Sequence, residues 1–93
     1  MKIITFGFIH EPPPPEATLV IDCQWLSDVA PHRPEVQAML DQARRHAGPD
    51  AVIAFGCSFG KDRSVKLALA FAEEMEAHFV VELEHRVPPP DSW

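Results

Sequence analysis

The strongest constraint on this chain is the direct succession of a strand, a glycine-bounded loop and a helix. The run AVIAF at residues 51–55 has the apolar composition of a buried strand, and GCSFGKDRSV follows at residues 56–65. Apolar residues then recur at helical spacing. The first N–H groups of a helix lack partners inside it, and the helix dipole adds about half a positive charge there. The sequence therefore predicts an anion-binding loop.

Side chains of this loop are candidate ligands for the anion. Arg63 can hold a phosphate with two parallel N–H···O bonds, and Lys61 adds a second positive charge. Gly60 permits a close approach or a backbone conformation that a Cβ would forbid. The candidate ligands are Cys57, Ser58, Phe59, Gly60, Lys61, Asp62, Arg63 and Ser64.

Two of these roles have alternatives. An arginine at a helix start opposes the dipole unless a negative group lies there. That group is either a bound anion or a salt-bridge partner, Asp22 or Asp62. Ser64 either donates its hydroxyl to the anion or caps the helix.

Cys57 has three interpretations. Cys57 and Arg63 have the C-x5-R-[ST] spacing of cysteine-dependent phosphatases, in which Cys57 would be a thiolate nucleophile and Asp28 its general acid. The segment WLSD at residues 25–28 resembles the W-P-D loop of tyrosine phosphatases, without the proline. Cys57 can instead pack as a small apolar residue under the loop, or form a redox pair with Cys23 if their strands are adjacent.

Composition narrows the class of protein. With 93 residues and 46% hydrophobic content, the chain fits one small globular domain, whose modest core favours self-association as a homodimer. Two cysteines fit a reducing cytoplasm, and no apolar run reaches the ~20 residues of a membrane span.

The formal net charge of −6 disfavours RNA as a partner and favours small anions such as phosphate or sulfate. The five histidines show no metal-ligand spacing, and no cofactor is expected.

The remaining patterns predict the order β-β-α-β-α-β. Strands are expected at residues 2–9, 18–21, 51–55 and 78–84, and helices at 34–45 and 64–76. Helical spacing predicts a buried face in each helix: Val36, Met39, Leu40 and Ala43 in the first, and Val65, Ala68, Leu69, Ala72 and Met75 in the second. Residues 11–17 form a stiff proline-rich loop, and residues 87–93 a proline-rich tail. We therefore expect a single α/β domain with a short parallel or mixed sheet, two flanking helices and a strand–loop–helix anion site beyond the carboxyl ends of the strands.

Four motifs, in order, resemble the C-terminal domain of the RapZ family, the bacterial RNase adaptor proteins. The loop GCSFGKDRSV is similar to G-C-T-G-G-x-H-R-S-V of that family, and ITFGF at residues 4–8 to its first strand, which ends in S-F-G-F. LVID, followed by Trp25 and Leu26, is similar to L-V-F-D-x-R-F-L, and His85-Arg86 matches a late H-R pair.

This resemblance implies a regulatory or adaptor module that binds a phosphorylated aminosugar, and RNA in the full-length family members. It adds His85 and Arg86 as candidate ligands, with a solvated charge pair as the alternative. The G-x-x-x-x-G-K-[ST] motif is absent from the sequence, so ATP binding is not implied. Phe59 replaces the second glycine of the family loop and Asp62 its histidine. An anionic Asp62 would repel a phosphate unless its side chain faces away.

Overall fold

A computed structural model describes residues 1–87, which form four strands and two helices in one α/β domain. The strands are β1 (Lys2–Gly7), β2 (Leu19–Asp22), β3 (Val52–Cys57) and β4 (Glu82–His85). The helices are α1 (Pro34–Arg45) and α2 (Arg63–Met75). The strands lie in the order β2-β3-β1-β4, and all their pairings are parallel.

The two faces of the sheet are covered differently. Both helices pack on one face, where they share a core with Ile3, Ile53 and Phe55. The opposite face, with Ile4 and Phe6 at its centre, packs against side chains of the proline-rich connection between β1 and β2. This connection crosses the sheet in the direction opposite to the two helical connections. Crossover connections between parallel strands are almost always right-handed. A connection that runs across the sheet in the opposite direction must therefore cover the face opposite to the helices.

The amphipathic pattern of α1 is confirmed. Its buried residues, Val36, Met39, Leu40 and Ala43, are those that the sequence predicts, and Pro34 begins the helix. Along α2 the buried stripe is centred on Ala68, Phe71 and Met75, so Leu69 falls beyond its edge and is exposed. The helices are tied together by Arg44, whose Nε and Nη2 donate to Glu74 at 2.7 and 2.8 Å.

Some predicted boundaries are wrong at the strand ends. The first strand ends at Gly7 rather than residue 9, because the Gly7 carbonyl accepts the N–H groups of His10 and Glu11 in a turn. The last strand begins at Glu82 rather than residue 78, because His78 and Phe79 donate to the Met75 carbonyl and prolong the end of α2. Of the predicted tail at residues 87–93, all but Val87 lies outside the described residues.

A close backbone contact joins the end of β1 to the loop after β3. Gly60 has a φ of 73°, and a Cβ there would lie 2.6 Å from the Gly7 nitrogen. A Cβ on Gly7 would in turn lie 2.6 Å from the carbonyl carbon of Phe59. Glycine is therefore required on both sides of this contact.

We predict that Gly60→Ala lowers the free energy of unfolding by about 2 kcal/mol or more, because it combines a left-handed φ with a backbone clash. The control is Gly48→Ala, since a Cβ on Gly48 meets nothing within 4 Å. That control should change stability by no more than about 0.5 kcal/mol. Urea denaturation of both variants measures the difference, and equal stabilities would contradict the proposed contact.

A candidate anion-binding loop with a buried thiol

The loop of residues 57–64 lies at the carboxyl end of the sheet and runs from the last residue of β3 into the first turn of α2. Its first residues extend the pairing with β1, since the N–H groups of Phe8 and Ile9 donate to the carbonyls of Cys57 and Ser58 at 3.0 and 3.1 Å. The loop then turns at Gly60 and enters α2 at Arg63. It is thus held on a central strand and aimed at the first turn of a helix.

Several donors converge on the sulfur of Cys57. The Gly60 N–H donates to Sγ at 3.2 Å, and the Ser64 Oγ lies 3.2 Å from the same atom. Cys57 is only 2% exposed, and Ser64 is fully buried. Ser64 does not cap α2, because its hydroxyl is engaged with Cys57; Asp62 occupies the cap position without a side-chain cap hydrogen bond.

These contacts favour the thiolate form of Cys57. Burial by itself acts to raise the pKa of the thiol, but it is outweighed by hydrogen bonds from the Ser64 hydroxyl and from the N–H groups of Ser64, Gly60 and Asp62. The resulting pKa is below the ordinary value for cysteine. The loop therefore stabilises a negative charge at its centre.

Arg63 makes neither of the salt bridges that the sequence suggested. Its Nη1 donates to the carbonyls of Gln24 and Leu26, at 2.8 and 2.9 Å. The guanidinium thereby fixes the segment after β2 against the first turn of α2. Within residues 1–87 these two bonds use only one of its three nitrogens, so Nε and Nη2 can still donate to an anion.

The carboxylate of Asp62 is paired with a lysine of α2. Its Oδ1 lies 2.9 Å from the Nζ of Lys66, one helical turn further along the helix. This ion pair offsets the charge of Asp62 and so weakens its repulsion of a phosphate in the loop. Lys61 is exposed and makes no salt bridge within the described part of the chain.

His85 and Arg86 are engaged elsewhere. His85 lies opposite Thr5 of β1, and its Nδ1 is 2.6 Å from the Thr5 hydroxyl oxygen. The Arg86 guanidinium pairs with Glu84, with Glu16 at 3.3 Å and with Glu11 at 3.8 Å. Three carboxylates thus surround Arg86, and two of them belong to the proline-rich connection. It is therefore not placed in the phosphate clamp, nor is it a simple solvated charge.

Asp28 has the contacts of a structural carboxylate. Its Oδ1 accepts the Ala30 N–H at 3.0 Å, and its Oδ2 accepts from Arg33 at 2.8 Å. The Ala30 N–H and the Arg33 guanidinium hold the pKa of Asp28 below its ordinary value. A general acid must be protonated before it acts, so these partners make Asp28 a poor acid.

Large apolar side chains are exposed beside the loop. Phe59 is 57% exposed and Trp25 is 62% exposed. Phe59 lies two residues after Cys57, and Trp25 lies two residues after Cys23. Ile9, whose N–H binds the loop at Ser58, is also exposed. The surroundings of the loop therefore include apolar as well as charged groups.

The sequence did not indicate several contacts that organise the site. The carbonyls of Gln24 and Leu26 hold Arg63, and main-chain acceptors have no signature in a sequence. The close contact of Gly7 with the loop backbone was not predicted either. The sequence feature that could have indicated it is a glycine at the end of a strand in which the other residues are mostly large and apolar.

Comparison with known proteins finds no significant similarity to any family model, curated protein or solved structure. The relationship to the RapZ C-terminal domain stays a prediction from the four motifs. In residues 1–87 no helix is long and apolar enough to cross a membrane. The same residues contain no group of three or more histidine, cysteine or acidic side chains placed to hold a metal ion.

We predict that Ser64→Ala raises the pKa of Cys57, because the variant removes the hydroxyl that donates to the thiolate. The rate of alkylation by iodoacetamide, measured as a function of pH, reports this pKa. Ser27→Ala, at an exposed serine, is the control and should leave the profile unchanged. Superimposable profiles for wild type and Ser64→Ala would remove Ser64 from the site.

Proposed function

We propose that this domain binds the phosphoryl group of a small phosphorylated molecule at the loop of residues 57–64 and acts as a regulatory or adaptor module. The observation that carries the proposal is the convergence of the Gly60, Asp62 and Ser64 N–H groups on the Cys57 sulfur at the loop centre. N–H groups arranged around one point, at the start of a helix, stabilise negative charge.

The distribution of side-chain charge supports the same proposal. Arg63 lies at the helix start with Nε and Nη2 able to donate, and Lys61 adds an exposed positive charge. The carboxylate that could oppose a phosphate, Asp62, is paired with Lys66. The resemblance to the RapZ C-terminal domain makes an aminosugar phosphate the first ligand to test. The exposed Phe59 and Trp25 offer surfaces on which an organic portion can pack.

The net charge argues for a small ligand rather than a polyanion. At a formal net charge of −6, the domain as a whole repels long runs of phosphates. Arg86 does not extend a basic surface, because Glu11, Glu16 and Glu84 surround it. RNA is therefore the less favoured partner.

We predict that inorganic phosphate, sulfate and glucosamine 6-phosphate shift the backbone amide resonances of residues 57–64 in an isotope-labelled sample. Arg63→Ala should weaken binding by about 2–4 kcal/mol, as expected for the loss of a hydrogen-bonded charge partner. Arg45→Ala removes the same charge from an exposed position in α1 and should bind like wild type. Equal weakening in both variants would indicate only a nonspecific effect of net charge, and unchanged binding in Arg63→Ala would exclude Arg63.

Cysteine-dependent phosphatase activity is the second candidate. It is favoured by the lowered pKa of Cys57 and by the Ser64 hydroxyl beside its sulfur, since both supply a thiolate nucleophile. It is opposed by the contacts of Asp28, which leave the proposed reaction without a suitable acid.

Hydrolysis of p-nitrophenyl phosphate under reducing conditions distinguishes the two functions. This substrate has a good leaving group, so it reports a competent nucleophile even where the general acid is weak. We expect no turnover by wild type or by Cys57→Ser. Turnover by wild type that disappears in Cys57→Ser would establish an enzyme and overturn the binding-module proposal.

A further inference from the structure

Cys57 ends β3, and Cys23 directly follows the neighbouring strand, β2. The pairing of β2 with β3 ends at Asp22 opposite Gly56, so the next step places Cys23 opposite Cys57. The Cys23 N–H donates to the Gly56 carbonyl at 2.6 Å, which is the bond that a residue opposite position 57 makes in a parallel ladder.

Both side chains also point to the same face of the sheet. Cys23 and Cys57 belong to the core beneath the helices, together with Ile21 and Phe55, the residues two positions before them. Adjacent strands are about 4.8 Å apart, and a disulfide joins Cα atoms roughly 4.4–6.8 Å apart. Both cysteines are free thiols in this structure. The backbone arrangement is therefore compatible with a direct bond between them.

The two thiols are chemically different. The Cys57 thiolate is stabilised by the loop, as described above. Burial, together with the neighbouring Cys57 and Asp22, raises the pKa of Cys23 to about 12, although Arg63 acts to lower it. Thiolates react with peroxides and thiols do not, so Cys57 is the residue that is oxidised first. Conversion of the Cys57 thiolate into a neutral sulfenic acid removes one of the charges that disfavour ionisation of Cys23.

We propose that Cys57 and Cys23 form an oxidation site for small hydroperoxides, with Cys57 as the attacking cysteine and Cys23 as the resolving cysteine. In the first step the Cys57 sulfur attacks the terminal peroxide oxygen. An S–O bond forms and the O–O bond breaks, and the leaving oxygen takes up a proton as water or an alcohol. In the second step the Cys23 sulfur attacks the Cys57 sulfenic acid. The S–S bond forms, the S–O bond breaks, and hydroxide leaves with the Cys23 proton as water. The two thiols lose two electrons in total, and these reduce the hydroperoxide.

The bond would change the centre of the loop. The Cys57 sulfur accepts from the Gly60 N–H and contacts the Ser64 hydroxyl. After oxidation it carries no negative charge and is attached to Cys23 on the neighbouring strand. The proposed site therefore has a reduced form, in which the loop favours a negative charge on the Cys57 sulfur, and an oxidised form that cannot carry this charge. This chemistry requires only the two cysteines and does not depend on phosphate binding.

The experiment treats the reduced full chain with a few equivalents of hydrogen peroxide and then blocks remaining thiols with N-ethylmaleimide. The expected product is a monomer that has lost two hydrogen atoms and takes up no N-ethylmaleimide. Its proteolytic digest should contain the peptide of Cys23 linked to that of Cys57, and dithiothreitol should restore both thiols.

Two variants separate the roles of the cysteines. Cys23→Ala should retain a sulfenic acid at Cys57, which dimedone traps, whereas Cys57→Ala should retain a thiol at Cys23 that peroxide does not modify. Circular dichroism checks that both variants fold, and the wild-type result stands without them. A disulfide between two chains, a dimedone adduct on wild-type Cys57 as the final product, or first oxidation at Cys23 would each overturn the proposal.

Discussion

The contact between Gly7 and Gly60 is the constraint on which the site depends. It lets the backbone after β3 turn directly over the end of β1, with no side chain between them. The turn directs the Gly60 N–H toward the sulfur of Cys57 and starts α2 three residues later. A larger residue at either glycine would push the loop away from the strand. The Gly60 N–H and the Ser64 hydroxyl would then no longer both reach the Cys57 sulfur. The lowered pKa of Cys57 thus depends both on this backbone packing and on Ser64 in the first turn of α2.

Much of the fold could be predicted because its signals are local. The apolar runs give the four strands, and the spacing of Val36, Met39, Leu40 and Ala43 gives the buried face of α1. Leu69 was misplaced because α2 has apolar residues on most of its circumference, so periodicity alone did not locate the stripe. The strand order and the placement of both helices on one face depend on crossover direction, and the local patterns of a single sequence do not reveal that direction.

The site was predictable in its residue types but not in its contacts. Spacing singled out Cys57, Arg63 and Ser64, and the structure brings Ser64 to Cys57. The partners of Arg63 are main-chain carbonyls, which every residue possesses, so the sequence could not identify them. His85 and Arg86 were considered as ligands because they match the late H-R pair of the RapZ C-terminal domain. They lie on the far side of β1 from β3, and each finds a nearer partner, Thr5 for the histidine and three glutamates for the arginine.

Phosphate hydrolysis and reversible oxidation are the two functions considered for Cys57, and they require different neighbouring groups. A stabilised thiolate is useful both to a nucleophile and to a redox-active cysteine. Hydrolysis also requires a proton donor for the leaving oxygen, and the candidate donor, Asp28, is bound to Arg33 and to the Ala30 N–H. Disulfide formation requires a second thiol on the same face in register, and Cys23 meets this requirement through the β2–β3 pairing. The neighbours of Cys57 thus supply what the proposed redox pair requires and leave a hydrolytic site without its acid, so the lowered pKa of Cys57 favours the proposed reversible oxidation over catalysis of phosphate transfer.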